Sequence, residues 1–325
     1  MKTLRFIGMA MFAILMCVNF ASCSNDGNEV PEQGKEIMVS LGFSGDFEIS
    51  ESPLSRATSD DLYLIRVQKK NGSSYTSYAY GLFDDIESLE IMLTENATYG
   101  FQAAILKDGK NRLYNSNGSY GLPFSTSITV GNSFTYSNTT SASFVPGDYK
   151  LSDGSTYGLP NVDTYITPST VDYTPTEENT SVQLQMLRQS FGVNFIAEDI
   201  TKGSLKIEMS ATKNSGGTLS APSFELTSNS SSLEDIFYMP FSAIIQEDGN
   251  PKMNASVKFT WVIEDGNEVV LGTPTITFER NMKTTIKIKV AEDIESGIGF
   301  TYYDESNEMG DGGTYNVDGD TATKE

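Results

Sequence analysis

Residues 36–44 read Glu-Ile-Met-Val-Ser-Leu-Gly-Phe-Ser. Ile37, Val39, Leu41 and Phe43 take every second position, with Met38, Ser40 and Gly42 between them. A period of two sends one set to one face of a pleated strand, so this reads as a β-strand with a single apolar face. Comparable runs return at 62–67, 89–93, 99–106, 127–130, 181–187, 193–197, 205–209, 257–263, 275–278 and 284–290. Among them stand Asn117-Gly118, Asp153-Gly154, Gly216-Gly217 and Asp265-Gly266. Such pairs supply the positive φ angles of tight hairpins. Past the apolar start of the chain there is no long amphipathic helix, and brief helical turns are expected near 84–89 and 231–237. Many short strands with turn pairs between them predict an all-β chain of antiparallel β-sandwiches.

Ahead of that strand the chain carries an address. Lys2 and Arg5 flank the start of an apolar run over 6–18, followed by Phe20-Ala21-Ser22-Cys23. The run falls short of the roughly 20 apolar residues of a membrane span, and fits the core of a signal peptide over 1–22. Small residues directly before Cys23 are similar to a bacterial lipobox, with Phe20 where leucine is usual. Cys23 is then the lipidated residue (palmitate among its acyl chains), anchoring the chain to the outer membrane. An ordinary secretory signal with an incidental cysteine is the alternative. Residues 23–36 are polar, acidic and turn-rich, the composition of a flexible tether. Their acidic tract also resembles the export signal of Bacteroidetes surface lipoproteins.

Composition narrows the function classes. Lys+Arg 22 against Asp+Glu 43 gives −21, and removing Lys2 and Arg5 leaves 20 against 43, or −23. A surface this acidic repels phosphate backbones, which sets nucleic acid aside as a partner. There is no histidine, so Ser-His-Asp triads, Cys-His pairs and His-ligated zinc are excluded. Cys17 lies in the signal, so with Cys23 alone the mature chain has no internal disulfide and no cysteine metal site. No Walker or dinucleotide glycine loop occurs. Paired carboxylates of the glycosidase kind stay conceivable, but abundance alone singles out no pair. No catalytic residue, cofactor or metal is expected.

At roughly 100–200 residues per domain the mature chain has room for two. Pro146, Gly147, Pro160, Pro168 and Pro175 crowd a region around 149–180 that lacks sustained alternation. A connection between two sandwiches accounts for it more economically than a long decorated loop of the first. The expected organisation is the signal peptide over 1–22, the lipidated tether over 23–36, an N-terminal sandwich over 37–170, a C-terminal sandwich over 171–295 and an acidic, glycine-rich tail over 296–325.

The order of features carries a resemblance. After the lipobox, tether and first strand come Pro53-Leu54-Ser55-Arg56-Ala57 and Asp60-Asp61-Leu62-Tyr63. Leu187-Arg188-Gln189-Ser190-Phe191-Gly192-Val193 and Phe278-Glu279-Arg280-Asn281-Met282-Lys283-Thr284-Thr285-Ile286 follow later. Together these resemble the fimbrillin-like (Mfa/FimA-like) surface lipoproteins of Bacteroidetes. The resemblance implies two transthyretin-like β-sandwich domains in tandem. It implies a subunit of a type V-like pilus (a fimbrium) or an adhesin, with other fimbrial subunits as partners, a homo-polymer included, and a host protein or glycan as ligand.

It also implies maturation by a trypsin-like protease that cuts after an arginine beyond the first strand, here the Arg56-Ala57 bond. The cut would release Ile37, Val39, Leu41 and Phe43, the displaced-strand candidates. A strand from a neighbouring subunit would fill the groove by β-augmentation. Ile286, Ile288 and Val290, alternating with Lys287 and Lys289, are the donor-strand candidates. Arg56 as a plain solvated charge and 286–290 as an internal strand of its own domain are the competing readings. A strand-poor extension beyond Ala291 favours a tip or accessory subunit.

The tail sets Asp304, Glu305, Asn307, Glu308, Asp311, Asp318 and Asp320 among glycines without the ligand order of an EF-hand. A solvated acidic tail is expected there rather than a calcium site. The alternative function is a carbohydrate-binding surface lipoprotein that does not polymerise. Tyr75, Tyr78 and Tyr80 would form its patch, with Tyr78 and Tyr80 on one strand face, and Tyr302-Tyr303 are further candidates. Trp261 is in phase with Val257, Phe259 and Ile263 and is expected in the core.

Overall fold

The computed structural model describes residues 34–46, 60–86, 89–198, 200, 202–245, 251–263, 266–290, 300–307, 314–318 and 321–324. The fold is all-β sandwich. Helix among the described residues is limited to α1 (Gly109–Arg112) and a 3-10 turn at Phe241–Ala243. Neither expected helical turn forms there: Asp84, Asp85 and Ile86 are not helical, and 232–237 is strand.

The first strand set begins with β1 (Glu36–Gly45), β2 (Leu62–Asn71), β3 (Ser74–Phe83), β4 (Glu90–Thr94) and β5 (Tyr99–Leu106). Short strands follow: β6 (Asn115–Ser116), β7 (Ser119–Tyr120), β8 (Ile128–Thr129), β9 (Thr135–Tyr136), β10 (Tyr149–Lys150) and β11 (Thr156–Tyr157). β12 (Thr164–Ile166), β13 (Val171–Tyr173) and β14 (Ser181–Arg188) complete the set. One sheet runs β4-β1-β14-β12-β5-β2-β3-β9, with β13 also on β5. It folds over on itself, so that Val39, Ile91 and Leu184 on one half meet Ile65, Val67 and Phe101 on the other. β2 is apolar on both faces for a reason. Tyr63, Ile65 and Val67 enter this core, while Leu62 and Leu64 enter a second cluster on the outer face.

That outer cluster is roofed by 113–162, whose Leu113, Tyr120, Phe124, Tyr149 and Val162 pack with Leu64 and Ala104 of the sheet. Asn117 and Gly118, with φ of 53° and 79°, turn the hairpin between β6 and β7 as their pairing predicts. The region around 149–180, expected to join two sandwiches, is part of the first one. β12 and β13 pair with β5, and β14 pairs with β1 and β12. Residues 171–188, expected in the second sandwich, therefore hydrogen-bond with the first. Their neighbours β10 to β13 are too short for any period to show in the sequence.

The second set comprises β15 (Ser190–Glu198), β16 (Ser204–Thr212), β17 (Thr218–Ser220), β18 (Phe224–Thr227), β19 (Ser232–Tyr238), β20 (Lys252–Val262), β21 (Glu268–Gly272), β22 (Thr275–Glu279) and β23 (Lys283–Val290). Beyond it lie β24 (Phe300–Asn307), β25 (Thr314–Asp318) and β26 (Thr321–Lys324). One sheet is β19-β15-β23-β24-β25-β26. The other is β17-β16-β20-β21, with β18 on β16 and β22 on β20. Phe195, Ile207, Phe259, Trp261, Phe278 and Ile286 share the core between them, with Trp261 inside as its phase predicts.

Two strand pairs run parallel, β1 with β14 and β15 with β23. Turn pairs announce only neighbours in the chain, whereas a parallel partner arrives after a long crossover, so antiparallel sheets were all the sequence could predict. The strand-poor tail is a further difference. β24 pairs with β23 from Val290↔Phe300 to Lys283↔Asn307, and β25 and β26 extend the sheet. Thr, Tyr and Val carry these strands by β-propensity, with little apolar alternation to betray them.

Candidate functional site

The seat of β1 is the site that the sequence singles out. Its four alternating apolar residues are buried in the first core: Ile37 is 7%, Val39 0%, Leu41 8% and Phe43 7% exposed. Met38, on the other face, is 47% exposed. Two neighbours share the strand. Residues 36–40 pair antiparallel with β4, and 40–45 pair parallel with β14. Burying four such side chains stabilises by roughly 6–12 kcal/mol at about 1.5–3 kcal/mol each. A whole domain is stable by only about 5–15 kcal/mol. The first sheet therefore cannot spare β1 without a replacement.

Two glycines lie in the second half of β1. A Cβ on Gly42 would come within 2.4 Å of the Gln183 side chain on β14. Gly45 closes the strand at φ +89°, where a Cβ would also meet the Met186 carbonyl oxygen at 2.6 Å.

Directly after β1 the chain is tied down by Asp46. Its Oδ2 accepts the Arg188 backbone N–H at 3.0 Å and Arg280 Nη1 at 3.1 Å. Arg280 Nη1 also donates to the Arg188 carbonyl at 3.0 Å. Arg188 in turn grips Asp163 with Nε at 2.9 Å and Nη2 at 2.7 Å, and lies over the Tyr165 ring at 5.5 Å. Burial, reinforced by Asp163, pushes the Tyr165 hydroxyl pKa up to about 12. The two late sequence motifs thus meet in space. The Asn281 N–H donates to the Ser190 carbonyl at 2.7 Å, and the Gly192 N–H to the Met282 carbonyl at 2.8 Å. Asp46 and Asp163 escaped the sequence reading, because an isolated aspartate carries no signal of its distant partner.

The donor-strand candidates lie in a sheet interior. β23 is flanked by β15 on one side and β24 on the other, and Ile286 and Ile288 are fully buried. Cys23 and the Arg56-Ala57 bond lie outside the described residues, as does the signal peptide. Among the described residues no helix is long and apolar enough to cross a membrane, and no group of acidic side chains is gathered to hold a metal.

The tyrosine patch does not form. The register between β2 and β3 shifts at Val67/Gln68, which leaves Tyr78 as the extra residue of a bulge. Tyr78 consequently packs on the inner core and Tyr80 on the outer cluster, against their shared parity. Tyr78 donates to the Met92 carbonyl at 2.8 Å, Tyr136 accepts the Met92 N–H at 3.1 Å and Tyr99 accepts the Thr94 N–H at 3.0 Å. Burial, with Tyr99 and Tyr136 beside it, holds the Tyr78 hydroxyl well above its ordinary pKa, so it stays a donor. These hydroxyls cap backbone groups of β4, the terminal strand of its sheet, and blunt that edge. Tyr75 is engaged with Asp172, which Lys70 also holds.

No protein-family model and no curated protein matches the chain. Among solved structures it is similar to a candidate adhesin from Bacteroides thetaiotaomicron VPI-5482, with 12% identity over 84% of this chain and 96% of that chain and a TM-score of 0.39. It is similar to the fimbrial anchor protein Mfa2 from Porphyromonas gingivalis, with 13% identity, 84% and 98% covered and a TM-score of 0.38. A fimbrial assembly protein from Parabacteroides distasonis ATCC 8503 gives 12% identity, 90% and 100% covered and a TM-score of 0.36. At such scores these neighbours assign no residue of this chain a role.

Proposed function

We propose that the protein is a surface lipoprotein of a fimbrium, or an adhesin built on the same plan, whose first strand is an insert meant for exchange. The observation that carries this reading is the seat of β1, a strand buried through four alternating side chains and paired with β4 along its first half and with β14 along its second. Cys23 is the proposed anchor and Arg56-Ala57 the proposed processing bond. After the cut, the described part of 23–56 would be held by the groove, by Asp46 and by the ion pair of Lys35 with Glu177. An incoming strand would need apolar residues in the register of Ile37, Val39, Leu41 and Phe43. Its backbone would restore the pairing with β4 and β14.

The accepting half of the exchange has the stronger support. For Ile286, Ile288 and Val290 to act as donors, β23 would have to leave both β15 and β24. We therefore assign the chain a terminal or accessory place rather than a mid-filament one, and no catalytic activity. The test is treatment of the purified mature protein with an arginine-specific protease. The expected result is a new N-terminus at Ala57 by mass spectrometry, loss of the lipidated fragment and oligomers that a synthetic peptide of residues 35–46 suppresses. A nicked protein that stays monomeric and keeps its fragment in the presence of excess peptide would overturn the exchange.

A further inference from the structure

We propose that the outer face of the first sheet carries a binding pocket for a sugar acid, a single ring bearing a carboxylate, anchored by Arg66. Along that face Leu64 and Arg66 of β2 stand opposite Ala104 and Gln102 of β5. The roof covers Leu64 and Ala104, and beside Arg66 a cavity of about 270 Å³ opens between Phe144, Pro146, Pro168 and Phe241. Phe241 lines it while remaining 46% exposed.

The anchor is identified by what the other arginines do. Arg112 is paired with Asp108 and Asp235, Arg188 with Asp163 and Arg280 with Asp46. Arg66 has no carboxylate among the described residues, in a chain with Asp+Glu 43 against Lys+Arg 22. Its Nη1 donates to Gln102 Oε1 at 3.1 Å, and its Nε is buried without a partner. Nε is enclosed beyond the reach of a ligand atom, so Nη2, which has no partner among the described residues, is the donor that Arg66 can offer to the cavity. Leaving a charged donor unmet is costly, and burial already lowers the Arg66 pKa. A carboxylate fits this charged donor. One guanidinium balances one negative charge, whereas the second charge of a phosphate would go unpaired in an acidic protein.

The rest of the lining selects the body of the ligand. Gln102 has its oxygen engaged by Arg66 and offers its amide nitrogen. Thr167 Oγ1 accepts the Ala103 N–H at 3.2 Å and keeps its proton to donate. With the Ser143 hydroxyl these groups favour a ligand rich in oxygen acceptors. The aromatic and proline walls suit the C–H face of a pyranose. The volume lies just below the roughly 300–1,000 Å³ of larger ligand sites, which suits one ring.

Calorimetric titration of the full mature chain tests this with glucuronic acid, N-acetylneuraminic acid, their methyl esters and N-acetylglutamate. The expected result is millimolar or tighter binding of at least one sugar acid, weakened roughly tenfold or more in its ester, in Arg66→Met and in Phe241→Ala. No binding of either acid, an ester bound equally well, or N-acetylglutamate matching the sugar acids would overturn it. The ester comparison uses the unaltered protein, so it stands even if Arg66→Met fails to fold. The outcome is independent of strand exchange.

Discussion

β1 and β15 open their two strand sets in the same manner and are held differently. Each pairs antiparallel with a terminal strand, β4 or β19, and parallel with a late strand, β14 or β23. In β15, residues 192–196 are paired on both sides at once. In β1 the double engagement is confined to Ser40, in register with both strands, and Leu41, which faces Val182 of β14 and donates its N–H to the Leu89 carbonyl at 2.9 Å. The backbone grips β15 twice over 192–196 and β1 twice only around Ser40 and Leu41, so β1 depends more on its four apolar side chains and on Asp46. A strand designed for exchange has this character: replaceable backbone pairing, and side chains that choose the occupant.

The largest expected effect separates the two strands by the same substitution. Phe195→Ala should cost about 3–5 kcal/mol and lower the cooperative unfolding midpoint of the second set. Trp261 lies in that core and reports its unfolding by fluorescence. Phe43→Ala removes a ring of the same size from β1. It should leave the Trp261 transition nearly unchanged while speeding proteolysis of the chain ahead of Asp60. Equal shifts of the Trp261 midpoint in both variants would erase the distinction.

Asp46 sharpens the comparison. Asp46→Asn and Arg280→Met should each cost about 1–2 kcal/mol, the lower part of the range for charged hydrogen bonds because Asp46 is partly exposed. In protein nicked at Arg56, both should hasten release of the N-terminal fragment, measured by size exclusion over time. The double variant should cost less than the sum of the two single ones, because both remove the contact between Asp46 and Arg280. Strict additivity would show that Asp46 and Arg280 act separately.

These residues also mark how far the sequence could be read. Ile37, Val39, Leu41 and Phe43 announced β1 and its buried face, because period two survives wherever one side of a strand is wet. β10 to β13 were hidden, since two or three residues carry no period. The Tyr78 bulge reversed a parity that was correct for every regular strand. Arg188 and Arg280 stood in motifs quoted from the sequence, but their meeting with Asp46 depends on β1 lying parallel to β14, which no local turn encodes. Arg66 reads as an ordinary strand residue in Leu64-Ile65-Arg66-Val67. Only the positions of the described carboxylates in space show that none of them reaches it.

The smallest expected effect is an acid response that differs between the two sets. Burial works to raise the Asp84 pKa, but hydrogen bonds from Lys110 Nζ at 2.9 Å and Asn132 at 2.7 Å outweigh it and hold the carboxyl below its ordinary value. In the second set, Lys258 and Lys206 hold Glu208 low against the opposing effect of burial. A carboxyl with a depressed folded pKa stabilises fully above its unfolded value, about 3.9 for Asp and 4.3 for Glu. That contribution is lost as the pH falls through the folded value. The Asp84 and Lys110 side chains are 25% and 22% exposed, against 39% and 40% for Glu208 and Lys258. Solvent therefore screens the second pair more, and each contributes less than about 1 kcal/mol. Hydrogen exchange between pH 5 and 3 should show protection near Asp84 falling before Trp261 fluorescence changes, and Asp84→Asn should flatten that fall. Simultaneous loss at both places would mean that acid acts on the sets together, through net charge rather than through Asp84.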